Sequence, residues 1–138
     1  MNILFLCVAN SARSQMAEGL ARSMFNDDFD IRSGGSVPSG EVHPNAIKAM
    51  DDIGIDIRDQ YSKSVDDLDK DFINNLDYAI TLCSEEVCPV LPTKAKNLHW
   101  MNEDPAKKDY SNKQLQKSFE ITRNSIFGLI KNFIIEKT

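Results

Sequence analysis

Apolar residues along this chain alternate between two kinds of spacing. Short apolar-rich runs predict buried strands, at about residues 2–6, 29–32, 78–82 and 97–101. Elsewhere apolar residues recur every three or four positions, which predicts helices over about residues 14–25, 44–53 and 111–133, with one or two short helical turns over 64–75. Strands that alternate with helices indicate an α/β protein whose parallel sheet is covered on both faces.

The segment between the second strand and the second helix predicts a loop, because residues 33–40 read SGGSVPSG. His43-Pro44 then predicts a helix start, since proline fits the first helical turn. No internal repeat, linker or low-complexity segment interrupts the pattern. We therefore predict one domain over residues 1–138.

The transition from the first strand to the first helix carries the most reactive side chains. Cys7 lies at the carboxyl end of the strand, and Arg13 and Ser14 begin the helix. Such a turn collects backbone N–H groups that, with the helix dipole, favour an anion. A helix N-terminus and an arginine favour the nucleophilic thiolate, and a guanidinium can hold two oxygens of one anion. We predict that this turn binds a tetrahedral oxyanion that Cys7 attacks, although an arbitrary cysteine is more often a small buried residue.

Composition and net charge narrow the range of binding partners that the chain could have. Apolar residues make up 41% of the chain and charged residues 27%, as in ordinary globular proteins. The net charge of -5 argues against general binding to nucleic acid or to an anionic membrane, so an anionic substrate must be attracted locally. Residues 1–8 lack the basic start of a secretory signal and are too short to span a membrane. We therefore expect a cytoplasmic monomer.

The three cysteines, Cys7, Cys83 and Cys88, are too few for a structural disulfide framework. The cytoplasm keeps thiols reduced. In a protein of that compartment, three cysteines indicate catalysis, redox chemistry or a metal.

The segment CVANSARSQMAEG resembles the phosphate-binding loop of the low-molecular-weight protein tyrosine phosphatases, and resembles still more the arsenate reductases that share their fold. The resemblance covers nearly the whole chain and continues through NAIKAM, IGIDI, DYAITLCSEEVCPVLP, NLHW and EDPA. It implies a single catalytic domain with a four-stranded parallel sheet flanked by helices. Some members of the family bind a potassium ion near the loop through Asn, Glu, Ser and Asp. This chain matches three of these positions with Asn10, Glu18 and Ser33 but has Lys63 at the fourth, so we expect no metal and no cofactor.

The resemblance also assigns roles to individual residues. Cys7 is the nucleophile, Arg13 binds the oxyanion and stabilises its transition state, and Asp104 is the general acid that protonates the leaving oxygen. Without the resemblance, Asp104-Pro105 would be read as a simple turn. The oxyanion-binding loop comprises Val8, Ala9, Asn10, Ser11, Ala12, Arg13 and Ser14, in which Asn10 shapes the loop and Ser14 favours the thiolate.

Cys83 and Cys88 distinguish the two branches of the resemblance, because a phosphatase needs only one sulfur. In the reductases, Cys7 forms an adduct with arsenate, Cys83 attacks Cys7 as arsenite leaves, and Cys88 moves the disulfide to Cys83 and Cys88. The resemblance names thioredoxin as the reductant of that redox-active disulfide. Four residues separate Cys83 from Cys88 here, where these reductases typically have six.

Two other functions compete with arsenate reduction. A tyrosine phosphatase would use the same loop and Asp104, but Tyr110 stands without the second tyrosine usual in such phosphatases. A zinc-binding module could use Cys83 and Cys88 together with Cys7 and His99, but it leaves Arg13 unexplained. His99 is more simply a structural residue on a strand that faces the core.

Overall fold

The computed structural model describes residues 1–84, 91 and 93–137. Its helices and strands follow one another as β1 (Asn2–Cys7), α1 (Arg13–Met24), β2 (Asp30–Gly35), α2 (Pro44–Asp51), a 3-10 helix (Val65–Asp67), α3 (Lys70–Asn74), β3 (Leu76–Thr81), β4 (Lys96–His99) and α4 (Asn112–Lys137). Cys88 lies outside the described residues. Within the described part of the chain, no helix combines the length and apolarity needed to cross a membrane.

The strands form one sheet in the order β2-β1-β3-β4, and every neighbouring pair is parallel. This confirms the predicted four-stranded parallel sheet. In the central pair, Leu6 of β1 lies beside Thr81 of β3, and on the other side it lies beside Gly34 of β2. All four carboxyl ends therefore meet at one edge, where ligands bind in sheets of this kind.

Side chains alternate across the sheet, so each face buries its own apolar cluster. Ile3 and Phe5 of β1 point to the larger cluster, which also includes residues of α1, α2 and α4. Leu4 and Leu6 point to a smaller cluster that is closed by Phe72 of α3. This confirms that both faces are covered, and it explains why β1 is a continuous apolar run.

β2 is longer than predicted, because residues 33–35 belong to the strand and not to a loop. Ser33 and the two glycines are buried there, and Gly35 pairs with Cys7. A Cβ atom on Gly35 would lie 2.4 Å from the carbonyl oxygen of Val8. Glycine is therefore required for the strand to pass so close to the predicted anion loop.

The last strand ends at His99, and its side chain is exposed, so the prediction that His99 faces the core was wrong. Its Nδ1 lies 2.7 Å from Oγ1 of Thr81, which explains why this ring stays at the sheet surface. The next residue, Trp100, does pack against the core. Its ring lies 6.1 Å from that of Phe5 and 6.0 Å from that of Phe133 in α4.

Candidate active site

Two cysteines stand at the carboxyl edge of the sheet, Cys7 at the end of β1 and Cys83 two residues past the end of β3. Cys7 is the last residue of β1 and is a buried free thiol. The backbone N–H of Leu82, just past β3, donates to the carbonyl of Leu6 at 2.9 Å. Leu82 directly precedes Cys83 and Leu6 directly precedes Cys7, so this bond joins the residues just before the two cysteines. Parallel pairing brings together two residues that are far apart in the sequence.

The loop after Cys7 turns its carbonyl groups outward. The carbonyls of Val8 and Ala9 accept from the N–H groups of Val37 and Ser39, at 2.9 and 3.0 Å. The carbonyl of Asn10 accepts from the Gln15 side chain, and that of Ser11 accepts from the His43 N–H at 2.8 Å. Because C=O and the following N–H point in opposite directions in a trans peptide, residues 9–12 turn their N–H groups inward. The loop thus presents a concave row of donors.

The start of α1 adds to this row of donors. Ala12 caps the helix without a side-chain hydrogen bond, and the first turn contains no acidic residue. The first N–H groups of a helix have no intrahelical acceptor. They therefore face the same concave space as the loop N–H groups, and together they form a site for an anion.

Asn10 holds the shape of the loop. Its φ of 49° is left-handed, a conformation that asparagine adopts more readily than most residues. Its side chain is fully buried, and Nδ2 donates to Oγ of Ser14 at 2.7 Å and to Oγ of Ser33 at 3.0 Å. Its Oδ1 accepts from the Lys63 N–H at 3.0 Å. Asn10 therefore ties the loop to α1, to β2 and to the segment before the 3-10 helix.

Ser14 connects this network to the thiol. Its Oγ lies 2.9 Å from Sγ of Cys7, and both atoms are buried. Since Ser14 already accepts a hydrogen bond from Asn10, its own proton is available for the sulfur. A hydrogen bond of this direction stabilises a thiolate.

Arg13, at the start of α1, binds the backbone just past the ends of two other strands. Its guanidinium is buried, and Nη1 donates to the carbonyl of Asn102 at 2.9 Å and to that of Leu82 at 3.5 Å. These bonds fix the plane of the guanidinium at the mouth of the loop. A planar group held in this way is suited to bind two oxygens of a tetrahedral anion.

The second cysteine is in a different state from the first. Cys83 is buried and forms part of a disulfide bond, whereas Cys7 is free. The prediction that Cys88 is its partner concerns a residue outside the described part of the chain. Among the residues that are described, no cluster of three or more His, Cys, Asp or Glu side chains could hold a metal ion.

Asp104 stands in an exposed turn close to the loop. Its Oδ1 accepts from the Ala106 N–H at 2.9 Å, so the Asp-Pro turn that the sequence offered as the simple interpretation does form. Asp104 also lines an open groove of about 500 Å³ between this turn and α4, together with Met101, Tyr110 and Ile121. Asn102, two residues earlier, accepts a hydrogen bond from Arg13, so the turn begins next to the anion loop, and the carboxylate of Asp104 lines the groove.

His43 contributes a further titratable group beside the loop. Its ring packs against Phe119 with centroids 4.7 Å apart, and its Nδ1 accepts from the Asn45 N–H at the start of α2. Burial lowers the pKa of His43, while the charges of Asp104 and Glu41 act in the opposite direction. The ring is therefore neutral at physiological pH, as its role as a hydrogen-bond acceptor requires.

Three residues that support the site were not predicted. Gln15 is fully buried, and its Nε2 donates to the Oδ1 of Asn10 at 2.9 Å. Gln60 in turn donates to the Gln15 Oε1 at 2.9 Å. Asn102 is buried and presents its carbonyl to Arg13. Gln15 does not disturb the polar and apolar pattern of α1, so the sequence does not reveal that this side chain supports the site. Only its tertiary contacts do.

Comparison with known proteins identifies the family of this chain. The model of the low molecular weight phosphotyrosine protein phosphatase family matches residues 2–133. The arsenate reductase of Shouchella clausii is 41% identical over 133 residues, which cover 95% of this chain and 93% of that protein.

Two solved structures of arsenate reductases share the fold. One, in the phosphate-binding state, superposes with a TM-score of 0.80 at 30% identity and covers 99% of this chain and 98% of that one. The thioredoxin-dependent arsenate reductase of Corynebacterium glutamicum superposes with a TM-score of 0.69 at 30% identity, covering 98% of this chain and 62% of that one. The chain therefore belongs to the low molecular weight phosphotyrosine protein phosphatase family, together with relatives that are named arsenate reductases.

Proposed function

We propose that this protein is a thioredoxin-coupled arsenate reductase, a single catalytic domain that acts in the cytoplasm. The observation that carries the proposal is the presence of both a free Cys7 thiol, set in an anion loop, and a disulfide at Cys83, two residues past the end of the neighbouring strand. A phosphatase needs only the first of these features. The names of the relatives support the same conclusion.

The first step is attack of the Cys7 thiolate on the arsenic of arsenate. The inward N–H groups of the loop and the guanidinium of Arg13 hold the remaining oxygens and stabilise their charge. Asp104 gives its proton to the oxygen that leaves, which departs as water. The product is a thiol–arsenic adduct on Cys7, and arsenic is still in its pentavalent state.

The second step transfers two electrons. The Cys83 thiolate attacks the sulfur of Cys7, the sulfur–arsenic bond breaks, and its electron pair stays on arsenic, which leaves as arsenite. The two sulfurs are oxidised to a Cys7–Cys83 disulfide. Cys88 then attacks Cys83 and releases Cys7 as a thiolate, and the dithiol of thioredoxin reduces the Cys83–Cys88 disulfide. A disulfide at Cys83 beside a free Cys7 is the state expected before that last reduction.

Hydrolysis of aryl phosphates is the second candidate function. The groove beside Asp104 has a volume of about 500 Å³ and includes Tyr110, so it offers room for more than an inorganic oxyanion. We propose this as a side reaction of the same loop, because it needs Cys7, Arg13 and Asp104 but no second sulfur.

Thiol counting tests the main proposal. Fully reduced protein is mixed with arsenate in the absence of any reductant, and both free thiols and arsenite are measured. We expect the loss of two thiols and the release of one arsenite per protein. Retention of all three thiols together with rapid aryl phosphate hydrolysis would establish the phosphatase instead.

Replacement of single sulfurs tests the order of the relay. Cys83→Ser removes the attacking sulfur, so we expect no arsenite but unchanged aryl phosphatase activity. Cys88→Ser is the matched control, because it keeps the first two sulfurs and should release one arsenite per protein before it stops. If Cys83→Ser turns over arsenate normally with thioredoxin, the relay is incorrect.

A further inference from the structure

Gln15 has a polar side chain that is completely buried in the first turn of α1. Its Nε2 donates to the backbone carbonyl of Asn10 at 3.0 Å, to the Oδ1 of Asn10 at 2.9 Å and to the carbonyl of Tyr61 at 3.0 Å. Its Oε1 accepts from Gln60 at 2.9 Å. Burial of an amide is costly unless the amide is hydrogen-bonded, and here both of its ends have partners.

The neighbours of Gln15 favour a single orientation of its amide group. Nε2 faces three acceptor oxygens, whereas Oε1 faces the Nε2 of Gln60. Gln60 is itself oriented, because its Nε2 also donates to the backbone carbonyl of Gln15 at 3.0 Å. Rotation of the Gln15 amide by half a turn would place Oε1 against the oxygens of Asn10 and Tyr61, none of which donates. The amide of Gln15 is therefore a fixed donor to Asn10.

The carbonyl of Asn10 is held differently from its neighbours in the anion loop. The carbonyls of Val8, Ala9 and Ser11 accept from backbone N–H groups of the segment that follows β2. The carbonyl of Asn10 accepts from the side chain of Gln15. A substitution of Gln15 therefore releases the Asn10 carbonyl and leaves the donors of the other three carbonyls in place.

The direction of the Asn10 carbonyl determines where the next N–H group points. In a trans peptide, the C=O and N–H groups of one unit point in opposite directions. Because Gln15 holds the Asn10 carbonyl on the outside of the loop, the N–H of Ser11 points inward. If this peptide rotated, a carbonyl oxygen would replace the donor on the inner side. An oxygen in that position only accepts hydrogen bonds, so it would repel an anion.

We propose that Gln15 is a positioning residue for the anion loop: its amide holds the peptide between Asn10 and Ser11 so that the Ser11 N–H donates to the bound oxyanion. The inference rests on the proposed function of the loop as an oxyanion site. Without a donor at position 15, the peptide is released and rotates. The anion then loses one hydrogen bond and meets a carbonyl oxygen in its place.

Binding of inorganic phosphate to the fully reduced protein tests this inference without requiring turnover. Gln15→Met keeps the length of the side chain and removes the donor. We expect the Kd for phosphate, measured by isothermal titration calorimetry, to rise by about 10- to 100-fold, as for the loss of a hydrogen bond to a charged group. Gln60→Met is the matched control, because it removes a glutamine of the same network but no bond to Asn10. It should lower the stability and leave the Kd unchanged.

Nuclear magnetic resonance observes the proposed donor directly. Labelling the carbonyl carbon of asparagine and the nitrogen of serine selects Asn–Ser pairs, of which the chain has two, Asn10–Ser11 and Asn124–Ser125. We expect phosphate to move the Ser11 amide proton to lower field in the unaltered protein and in Gln60→Met, but not in Gln15→Met. The second pair lies in α4 and is the internal reference. A role limited to folding would reduce the folded fraction and leave the Ser11 response of the folded molecules intact.

The outcomes separate the positioning role from the function of the loop. The role is wrong if Gln15→Met binds phosphate like the unaltered protein, if its Ser11 signal still moves, or if Gln60→Met weakens binding equally. Should Gln15→Met not fold, Gln15→Glu is examined by the same Ser11 signal, because its ionised carboxylate accepts from Gln60 but donates nothing. Failure of both variants to fold would assign Gln15 to the folded core alone. If the unaltered protein binds no phosphate, the proposed anion loop fails, whatever Gln15 does.

Discussion

At the scale of single residues, the site depends on contacts that leave no room for change. Gly35 has no side chain because its α-carbon faces the Val8 carbonyl, and Asn10 accepts a left-handed φ because its side chain binds both serines. Both residues shape the anion loop without touching an anion. Their effect on chemistry therefore passes through the backbone of residues 8–12.

Gly35→Ala tests the close approach of β2 to the loop. The added Cβ would meet the Val8 oxygen at 2.4 Å, so strand or loop must move. We expect a loss of about 1–3 kcal/mol in the free energy of unfolding, as for other overpacked sites. We also expect slower arsenite formation. Urea denaturation and a thioredoxin-coupled assay measure the two effects.

Gly128→Ala is the matched control for that variant. Gly128 lies inside α4, and nothing lies within 4 Å of a Cβ added there. Alanine is the better helix former, so this variant should gain about 0.5–1 kcal/mol. Unchanged stability and activity in Gly35→Ala would mean that the loop tolerates displacement.

At the scale of elements, the start of α2 joins structure to the site. The N–H of His43 holds the Ser11 carbonyl, while its ring caps the helix through Nδ1 and packs on Phe119. Protonation of Nδ1 would remove that cap. The helix start therefore responds to pH, and it is joined directly to the anion loop.

The lowered pKa of His43 predicts how stability depends on pH. The unfolded chain binds the proton more readily than the folded one, so the contribution of the neutral ring is fully present above about pH 6.5 and is lost as the pH falls below it. His43→Asn keeps a capping side chain but does not titrate. The difference in unfolding free energy between the two proteins should fall between pH 7 and pH 5, and a constant difference would contradict the prediction.

The existence of each helix and strand was more predictable from the sequence than the residues at which it ends or the polar contacts that its side chains make. Apolar spacing indicated all four strands, although none of the residues of β4 is fully buried. It missed the end of β2, because Ser33-Gly34-Gly35 has loop composition and is held in the strand only by its tertiary neighbours. Cys7 ends β1 and Ser14 lies at the start of the next helix, so their contact was predictable. Gln15 and Asn102 were not, because no local pattern marks a buried polar side chain.

At the scale of the whole molecule, the side chains that hold the terminal helix differ from those that form the site. The anion loop occupies the carboxyl edge of the sheet. Phe133 of α4 packs against Phe25, Tyr78 and Trp100, with ring centroids 5.0–6.0 Å apart. This aromatic cluster holds the terminal helix to α1 and to the sheet. The two regions share the core but no side chain.

Phe133→Ala should therefore reduce stability without changing the chemistry of the folded protein. Deletion of a buried phenylalanine typically costs about 3–5 kcal/mol, so we expect a clearly lower Tm. Arsenite formation per folded molecule should stay unchanged at low temperature. Ile135→Ala, on the exposed side of α4, is the control and should change stability by less than about 0.5 kcal/mol. A large fall in activity at full folding would show that the aromatic cluster shapes the site.

The outward carbonyls of the anion loop have one further consequence. They hold the inward N–H dipoles close together before any ligand binds, so the partial positive charges of the N–H groups repel one another. Any tetrahedral anion offsets this repulsion and stabilises the loop. Phosphate and arsenate share shape and charge, and occupancy then follows abundance more than identity. Discrimination must come afterwards, because only arsenic in this pair readily accepts two electrons from sulfur. Selectivity would thus be kinetic, with phosphate acting as a resident competitor that also protects the fold.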